Sequence, residues 1–306
     1  MLSRSNLNFT VQSGLTRSET GHYPNAQGVP VWRTGRFSWA VDAAAPVVVM
    51  AIVNVTPDSF SDGGQHHSTQ TALSHAERML AEGAQILDIG GESTRPGAPP
   101  VSVQQELDRV LPVVTKLAAR GHCVSIDTRK AEVMRESIAA GASIVNDVTA
   151  LAAPGAVEAC AASEVGVVLM HMQGQPDTMQ AAPSYVDVVQ EVSEFLRARA
   201  AVCAAAGIAR ERIVLDPGFG FGKTMEHNVE LTRHLAELVA LGFPLLAGWS
   251  RKGTLGRLTG RTVATERVYA SVAAALACVA QGARIVRVHD VAATVDALKV
   301  WRAFSS

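Results

Sequence analysis

From Val47 onward, short apolar runs rich in β-branched residues alternate with longer stretches in which apolar residues recur at helical spacing. Eight runs stand out: VVVMAIVNV, ILDIGG, VSIDT, SIVNDV, GVVLMHM, IVLDPG, PLLAGWS and RIVRVHD. Apolar on both faces, they suit strands of a buried parallel sheet. The stretches between them, such as Thr71 to Glu82, Ser102 to Ala119 and Ala131 to Ala140, suit crossover helices. Glycines fall near the predicted helix ends, where the residue past the last turn adopts a positive φ. Eight βα units in about 258 residues match the size of a (β/α)8 barrel, whereas a doubly wound open sheet normally uses fewer strands. The expected fold class is therefore α/β, a (β/α)8 TIM barrel. Upstream, Val31 to Asp42 alternates apolar and polar residues around Thr34-Gly35, which predicts an N-terminal β-hairpin able to cover one end of a sheet. Residues 1–30 follow neither period and are expected to form a flexible extension, leaving 31–306 as one barrel domain.

Composition narrows the partners. The chain has 306 residues, 48% of them hydrophobic, and 27 basic against 28 acidic residues give a formal charge of -1. Such a balance gives no reason to expect nucleic acid or an anionic membrane, so small ligands are the expected partners. Cys123, Cys160, Cys203 and Cys278 lack the paired spacing of a zinc site or a redox dithiol and read as reduced core thiols. Neither a secretory h-region nor an apolar run of the ~20 residues that span a bilayer is present, which predicts a cytoplasmic soluble protein.

Candidate chemistry lies at the strand ends. Every predicted strand finishes on a polar residue: Asn54, Asp88, Asp127, Asn146, His171, Asp216, Ser250 and Arg287 with His289. Any single Asp or Asn here suits a helix cap, but in a barrel all eight ends converge on one mouth. Asp127, Asn146 and Asp216 offer acceptors for a donor-rich planar heterocycle, because two adjacent N–H groups match a carboxylate as guanidinium does. Lys252, Arg287 and His289 offer the opposite, a place for a carboxylate or phosphate. Two loops, TPDSFSDGG and ESTRPGAPP, carry Phe60 and Arg95, residues that suggest ligand contact in segments otherwise made of turn formers. LDPGFGFGK lacks the Walker Lys-Ser/Thr pair, and its glycines suit backbone approach to a flat ligand.

MAIVNVTPDSFSDGG, ILDIGGESTRPGA, SIDTRKAEV, GASIVNDVTAL, MHMQGQPDTMQ, LDPGFGFGK, SRK and RVHDV closely resemble, in order, the motifs of the bacterial dihydropteroate synthase family of pterin-binding barrels. The resemblance runs from about Met50 to Val291. It implies a transferase of folate biosynthesis that joins 6-hydroxymethyl-7,8-dihydropterin pyrophosphate to p-aminobenzoate and is a target of sulfonamides. It further implies pterin binding by Asp127, Asn146, Met170, Asp216, Phe221, Lys252 and Arg287. Pyrophosphate would be bound by Asn54, Thr94, Arg95, Arg287 and His289, with Asn54 also binding Mg2+ and Asp88 supporting that site. Phe60, Ser61, Pro96 and Gly253 correspond to p-aminobenzoate contacts, and Asp62, Arg95 and Lys252 to the catalytic groups. Many relatives place Ser where Gly253 stands, which puts a hydroxyl contact to the p-aminobenzoate carboxylate in doubt. A homodimer through the last helices is the family expectation. The rival readings are a methyltetrahydrofolate-dependent corrinoid methyltransferase, which does not need the two loops, and a catalytically silent pterin-binding barrel.

Overall fold

The computed structural model describes residues 30–55, 64–93, 100–175 and 178–305. The expected N-terminal extension lies outside the described residues up to position 29. Two short strands come first, β1 (Val31–Thr34) and β2 (Phe37–Ala40), paired antiparallel across Gly35 and Arg36. Each of the eight apolar runs then forms a strand: β3 (Val48–Asn54), β4 (Ile86–Gly90), β5 (Cys123–Asp127), β6 (Ile144–Asp147), β7 (Gly166–Met170), β8 (Ile213–Asp216), β9 (Leu246–Ala247) and β10 (Ile285–Val288). Their hydrogen-bonded order is β8-β7-β6-β5-β4-β3-β10-β9, all parallel. A parallel bridge between Leu215 and Leu245, with the Leu215 amide donating to the Pro244 carbonyl at 3.0 Å, brings β8 against the start of β9 and closes the barrel. Only two residues of PLLAGWS pair as a strand, so the ladder between β8 and β9 is the thinnest in the barrel.

The helices that separate the strands are α1 (Gly64–Ala81), α2 (Val103–Ala119), α3 (Ala131–Ala139), α4 (Ala156–Ala161), α5 (Val188–Ala205), α6 (Met225–Arg233), α7 (Leu235–Val239), α8 (Gly253–Thr259), α9 (Val268–Ala280) and α10 (Val291–Ser305). α1 begins seven positions before the predicted Thr71, because its first turns, GQHHSTQ, carry no apolar period to announce them. α2 begins as the sequence predicts: Ser102 accepts from the Gln105 amide and the Gln105 side chain accepts from the Ser102 amide, satisfying two orphan donors at once.

The barrel interior is layered along the strand direction. Val48, Met50, Ile86, Cys123, Ile144, Val168, Val214, Leu246 and Ile285 form one buried cluster with Trp32 of the hairpin. A second, larger cluster joins the outward strand faces to the helices. The hairpin closes the N-terminal end of the barrel. Trp32 is fully buried and its indole N–H donates to the Arg212 carbonyl at 3.1 Å; the Gly35 amide donates to Glu164 at 2.8 Å, just before β7. Gly166 opens β7 because a Cβ there would stand 2.5 Å from Thr34 Cγ2 and 3.0 Å from Trp32 Nε1. A side chain at that position would push the hairpin off its seat.

Trp32→Ala is expected to lower the free energy of unfolding by about 3–5 kcal/mol, the usual effect of truncating a buried aromatic. Urea denaturation checks this, and turnover by the folded fraction should be retained, because the hairpin lies at the end of the barrel remote from the polar strand ends.

Candidate functional site

Side chains on one face of a strand recur every second residue, so the inward positions that are apolar in the lower layer continue upward as a defined set. Ile86 leads to Asp88, Ile144 to Asn146, Val168 to Met170, Val214 to Asp216, Leu246 to Gly248 and Ile285 to Arg287. Cys123 leads through the buried Ser125 to Asp127. The strand register sets Asn54 beside Gly90, Gly90 beside Asp127, Asp127 beside Asn146 and Met170 beside Asp216. Residues far apart in the chain thus meet in one polar layer above an apolar floor.

Arg287 occupies the middle of that layer. Its Nε donates to Asp88 Oδ2 and its Nη2 to Asp127 Oδ2, both at 2.6 Å. Asn146 Nδ2 donates to the same Asp88 oxygen at 3.1 Å, while Asp88 itself is fully buried. Burial tends to lower the guanidinium pKa, but the two carboxylates outweigh it and raise Arg287 above its ordinary value. One cation therefore serves two desolvated anions. Burial pushes Asp127 up to about 7 despite the pull of Arg287, and the neighbouring Asp88 adds to that rise.

The opposite wall comes from β8 and the segment after β9. Asp216 is 5% exposed, and its Oδ1 accepts from the Gly218 amide at 2.7 Å. Burial raises its pKa, against the Gly218 hydrogen bond and the charges of Lys252 and Arg287. Lys252 extends over the Phe221 ring, its Nζ 4.0 Å from the centroid, and burial lowers it to about 8. Gly248 leaves open the space in front of Asp216; a Cβ there would come within 3.9 Å of Oδ2. The resulting cavity is lined by Asp127, Asn146, Met170, Asp216, Phe221, Lys252 and Arg287 together with Val148, Gly218, Phe219 and Gly248.

Every residue expected to bind pterin therefore lines one cavity. Asn54 stands next to it across Gly90: a Cβ at Gly90 would be 3.7 Å from Asn54 Oδ1 and 3.8 Å from Asp127 Oδ2. His289 sits at the top of β10, its amide donating to Ser250 Oγ at 3.0 Å and its Nδ1 at the same distance from that oxygen. Gly253 begins α8, as expected, and among the described residues no neighbouring atom lies within 4 Å of the position a Cβ would take. Phe60, Ser61, Asp62, Thr94, Arg95 and Pro96 lie outside the described residues. The expectation that all eight polar strand ends share the mouth fails at His171. Its ring packs edge-on against Phe195 of α5 at 4.9 Å, because one residue past Met170 the pleat turns a side chain outward. Asp88 lies beneath the mouth as a partner of Arg287 and Asn146 rather than open to a ligand. The sequence reading also missed Val148, Phe219 and Gly248; the period of two from Leu246 marked only the last.

A roomier groove of about 740 Å³ lies elsewhere, between residues 43–49 and α10, and includes Arg284, Lys299 and Arg302. It lacks the convergent acceptors and donors of the barrel mouth, so geometry and chemistry favour the smaller cavity. Among the described residues, no cluster of three or more His, Cys, Asp or Glu side chains is placed to hold a metal ion.

Comparison with known proteins agrees with the geometry. Residues 50–289 match the family described as pterin binding enzyme. The dihydropteroate synthase of Neisseria meningitidis serogroup B is 58% identical over 279 residues, spanning 89% of this chain and 97% of that protein. The structure of dihydropteroate synthase from Xanthomonas albilineans in complex with 7,8-dihydropteroate superposes with a TM-score of 0.82 at 49% identity, covering 90% of this chain and 99% of that one. The Yersinia pestis enzyme, solved as a sulfonamide drug complex, gives 0.84 at 49% identity with the same coverage. By sequence and by fold, the chain belongs to the pterin binding enzyme family and, within it, to the dihydropteroate synthases.

Proposed function

We infer that this barrel displaces pyrophosphate from 6-hydroxymethyl-7,8-dihydropterin pyrophosphate with the amine of p-aminobenzoate, giving 7,8-dihydropteroate in folate biosynthesis. Sulfonamides compete for the p-aminobenzoate position. The observation that carries the reading is the meeting of buried acceptors, Asp127, Asn146 and Asp216, with the cations Lys252 and Arg287 in a single cavity. The pterin edge supplies adjacent N–H donors to the acceptors, Met170 and Phe221 pack on its ring, and Arg287 lies over its face.

The reaction asks little bond-making chemistry of the protein. Pyrophosphate leaves readily once cations neutralise it, and electron release from the dihydropterin ring stabilises charge on the exocyclic methylene, so a dissociative displacement follows. Arg287 and His289 hold the diphosphate, joined by Thr94 and Arg95. Lys252 orients the ring, and Asp62 stabilises the developing cation or accepts the proton that the aniline loses. Asn54 fits a Mg2+ ion carried mainly by the diphosphate, since this hard cation commonly binds through substrate phosphates and few protein oxygens, and the ion supplies charge neutralisation of the leaving group. Phe60, Ser61 and Pro96 cover p-aminobenzoate, whose carboxylate meets the backbone at Gly253. The two expected loops, with Asn54, Lys252 and His289, favour this transferase over a corrinoid methyltransferase or a silent barrel.

The same reading includes a cytoplasmic homodimer. Four buried, unpaired cysteines fit a reducing compartment. Leu258 on α8, Val263 in the connection and Tyr269 on α9, the last 83% accessible, are exposed apolar side chains of the kind an interface covers.

Asp127→Ala is expected to abolish turnover and to raise the pterin dissociation constant at least tenfold, measured by calorimetry. Normal kcat/KM in this variant would refute the assigned role. Asn54→Ala should shift the Mg2+ concentration needed for half-maximal rate, and an unchanged requirement counts against metal binding there. The acid and base limits of binding follow from the shifted groups. Below about pH 7 Asp127 gains a proton and loses an acceptor, and above about pH 8 Lys252 loses its charge. Pterin affinity should therefore peak between those values, with the acid limb flattened in Asp127→Asn. Gly253→Ser, for which there is room, is expected to lower KM for p-aminobenzoate about fivefold through one added hydrogen bond of about 1 kcal/mol.

A further inference from the structure

The segment after β8, Pro217 to Lys223, supplies Phe221 and the Gly218 amide to the cavity, yet it has no regular structure of its own. It lies directly on the residues that follow β7. A Cβ on Gly218 would stand 1.9 Å from the His171 carbonyl oxygen, and one on Gly222 would stand 2.3 Å from that of Gln173. Two backbones this close turn carbonyl groups toward one another. Gly218 and Phe221 from the loop and His171 just past β7 all aim their oxygens at a single point.

Lys223 occupies that point. Its Nζ donates to the carbonyls of Gly218 and Phe221, each at 3.0 Å, and to that of His171 at 3.3 Å; His171 Nδ1 lies 2.9 Å away. The side chain is 3% exposed. Burial pulls the lysine down while the charge of Asp216 holds it up, and burial lowers His171 to about 3, so the imidazole is a neutral acceptor. The three ammonium protons are thus distributed over four acceptors, and none is directed at the substrate cavity. Removing the ammonium would leave the buried carbonyls of His171 and Phe221 without that donor, while the Gly218 carbonyl would keep only its bond from the Phe221 amide at 3.1 Å. Other bonds fasten the same loop from outside: Tyr185 Oη to the Gly222 carbonyl at 2.8 Å, Gln180 Nε2 to the Gly220 carbonyl at 2.5 Å, and the Gly220 amide to Asn228 Oδ1 at 2.7 Å.

We propose that Lys223 is a positioning residue for pterin recognition: its ammonium acts as an internal cation that pins the 217–222 loop to the end of β7, fixing the Phe221 ring against Lys252 and the Gly218 amide against Asp216. The proposal rests on the pterin reading of the cavity. It assigns Lys223 no contact with substrate and no proton transfer. Because the loop serves the pterin half of the site, loss of the ammonium loosens pterin binding selectively and leaves the p-aminobenzoate side unchanged.

The test compares wild type, Lys223→Met, Phe221→Leu and the double variant, measuring binding of 6-hydroxymethyl-7,8-dihydropterin pyrophosphate and KM for p-aminobenzoate at saturating pterin substrate. Lys223→Met is expected to raise the pterin dissociation constant at least tenfold with KM for p-aminobenzoate within twofold. Adding Phe221→Leu should then weaken binding much less than it does alone, because Lys223 acts through that ring. Pterin affinity within twofold of wild type, an equal rise in both parameters, or strictly additive effects would overturn the proposal. Should Lys223→Met not accumulate folded, Lys223→Gln, which keeps two N–H donors without the charge, is measured in the same cycle with the same criteria. A wild-type chain that binds no pterin would instead refute the parent reading and is recognised before any variant is made.

Discussion

A guanidinium held between two buried carboxylates organises the centre of this molecule. Arg287 reaches across the barrel from β10 to Asp88 on β4 and Asp127 on β5, so strands separated by more than half the chain are tied by one charge network. The cation could not be buried without the carboxylates, and its charge pulls Asp127 down against the rise that burial imposes. Such a network contributes little net stability, since desolvation offsets most of the attraction. Its value lies in geometry. With one cation shared by two anions, Asp127 keeps acceptor capacity for a ligand while remaining fixed in place.

The polar layer exists because the layers beneath it are closed. Nine apolar side chains and Trp32 fill the lower barrel, and the hairpin covers the N-terminal end. Burial raises Asp127 and Asp216 and lowers Lys252, the directions that suit recognition of a neutral, donor-rich ring. The hairpin thus completes the apolar floor without touching the residues that line the cavity.

Much of this was legible in the amino-acid sequence. Runs such as ILDIGG and SIVNDV announce buried strands, and the step from Ile144 to Asn146 or Val214 to Asp216 shows where the apolar interior stops. What the sequence hides is direction within a strand end. Met170 and His171 are adjacent and both suit a pocket, but the pleat turns one inward and the other onto α5. Asp88 presents the same difficulty in depth: its side chain points inward, one layer too low to meet a ligand freely. Lys223 was illegible for a further reason. A lysine at the end of a glycine-rich segment reads as a phosphate contact or a solvated charge, and only the convergence of three carbonyls shows that it faces its own backbone.

The hairpin end of the barrel is also where α10 finishes. Pro30 accepts from the Val41 amide at the foot of the barrel, and Ser305, the end of α10, borders the same groove as residues 43–47. Pro30 and the end of α10 therefore both lie at the floor, on the side away from the mouth. A handle joined after α10 would start on the side of the barrel away from the opening through which ligands pass.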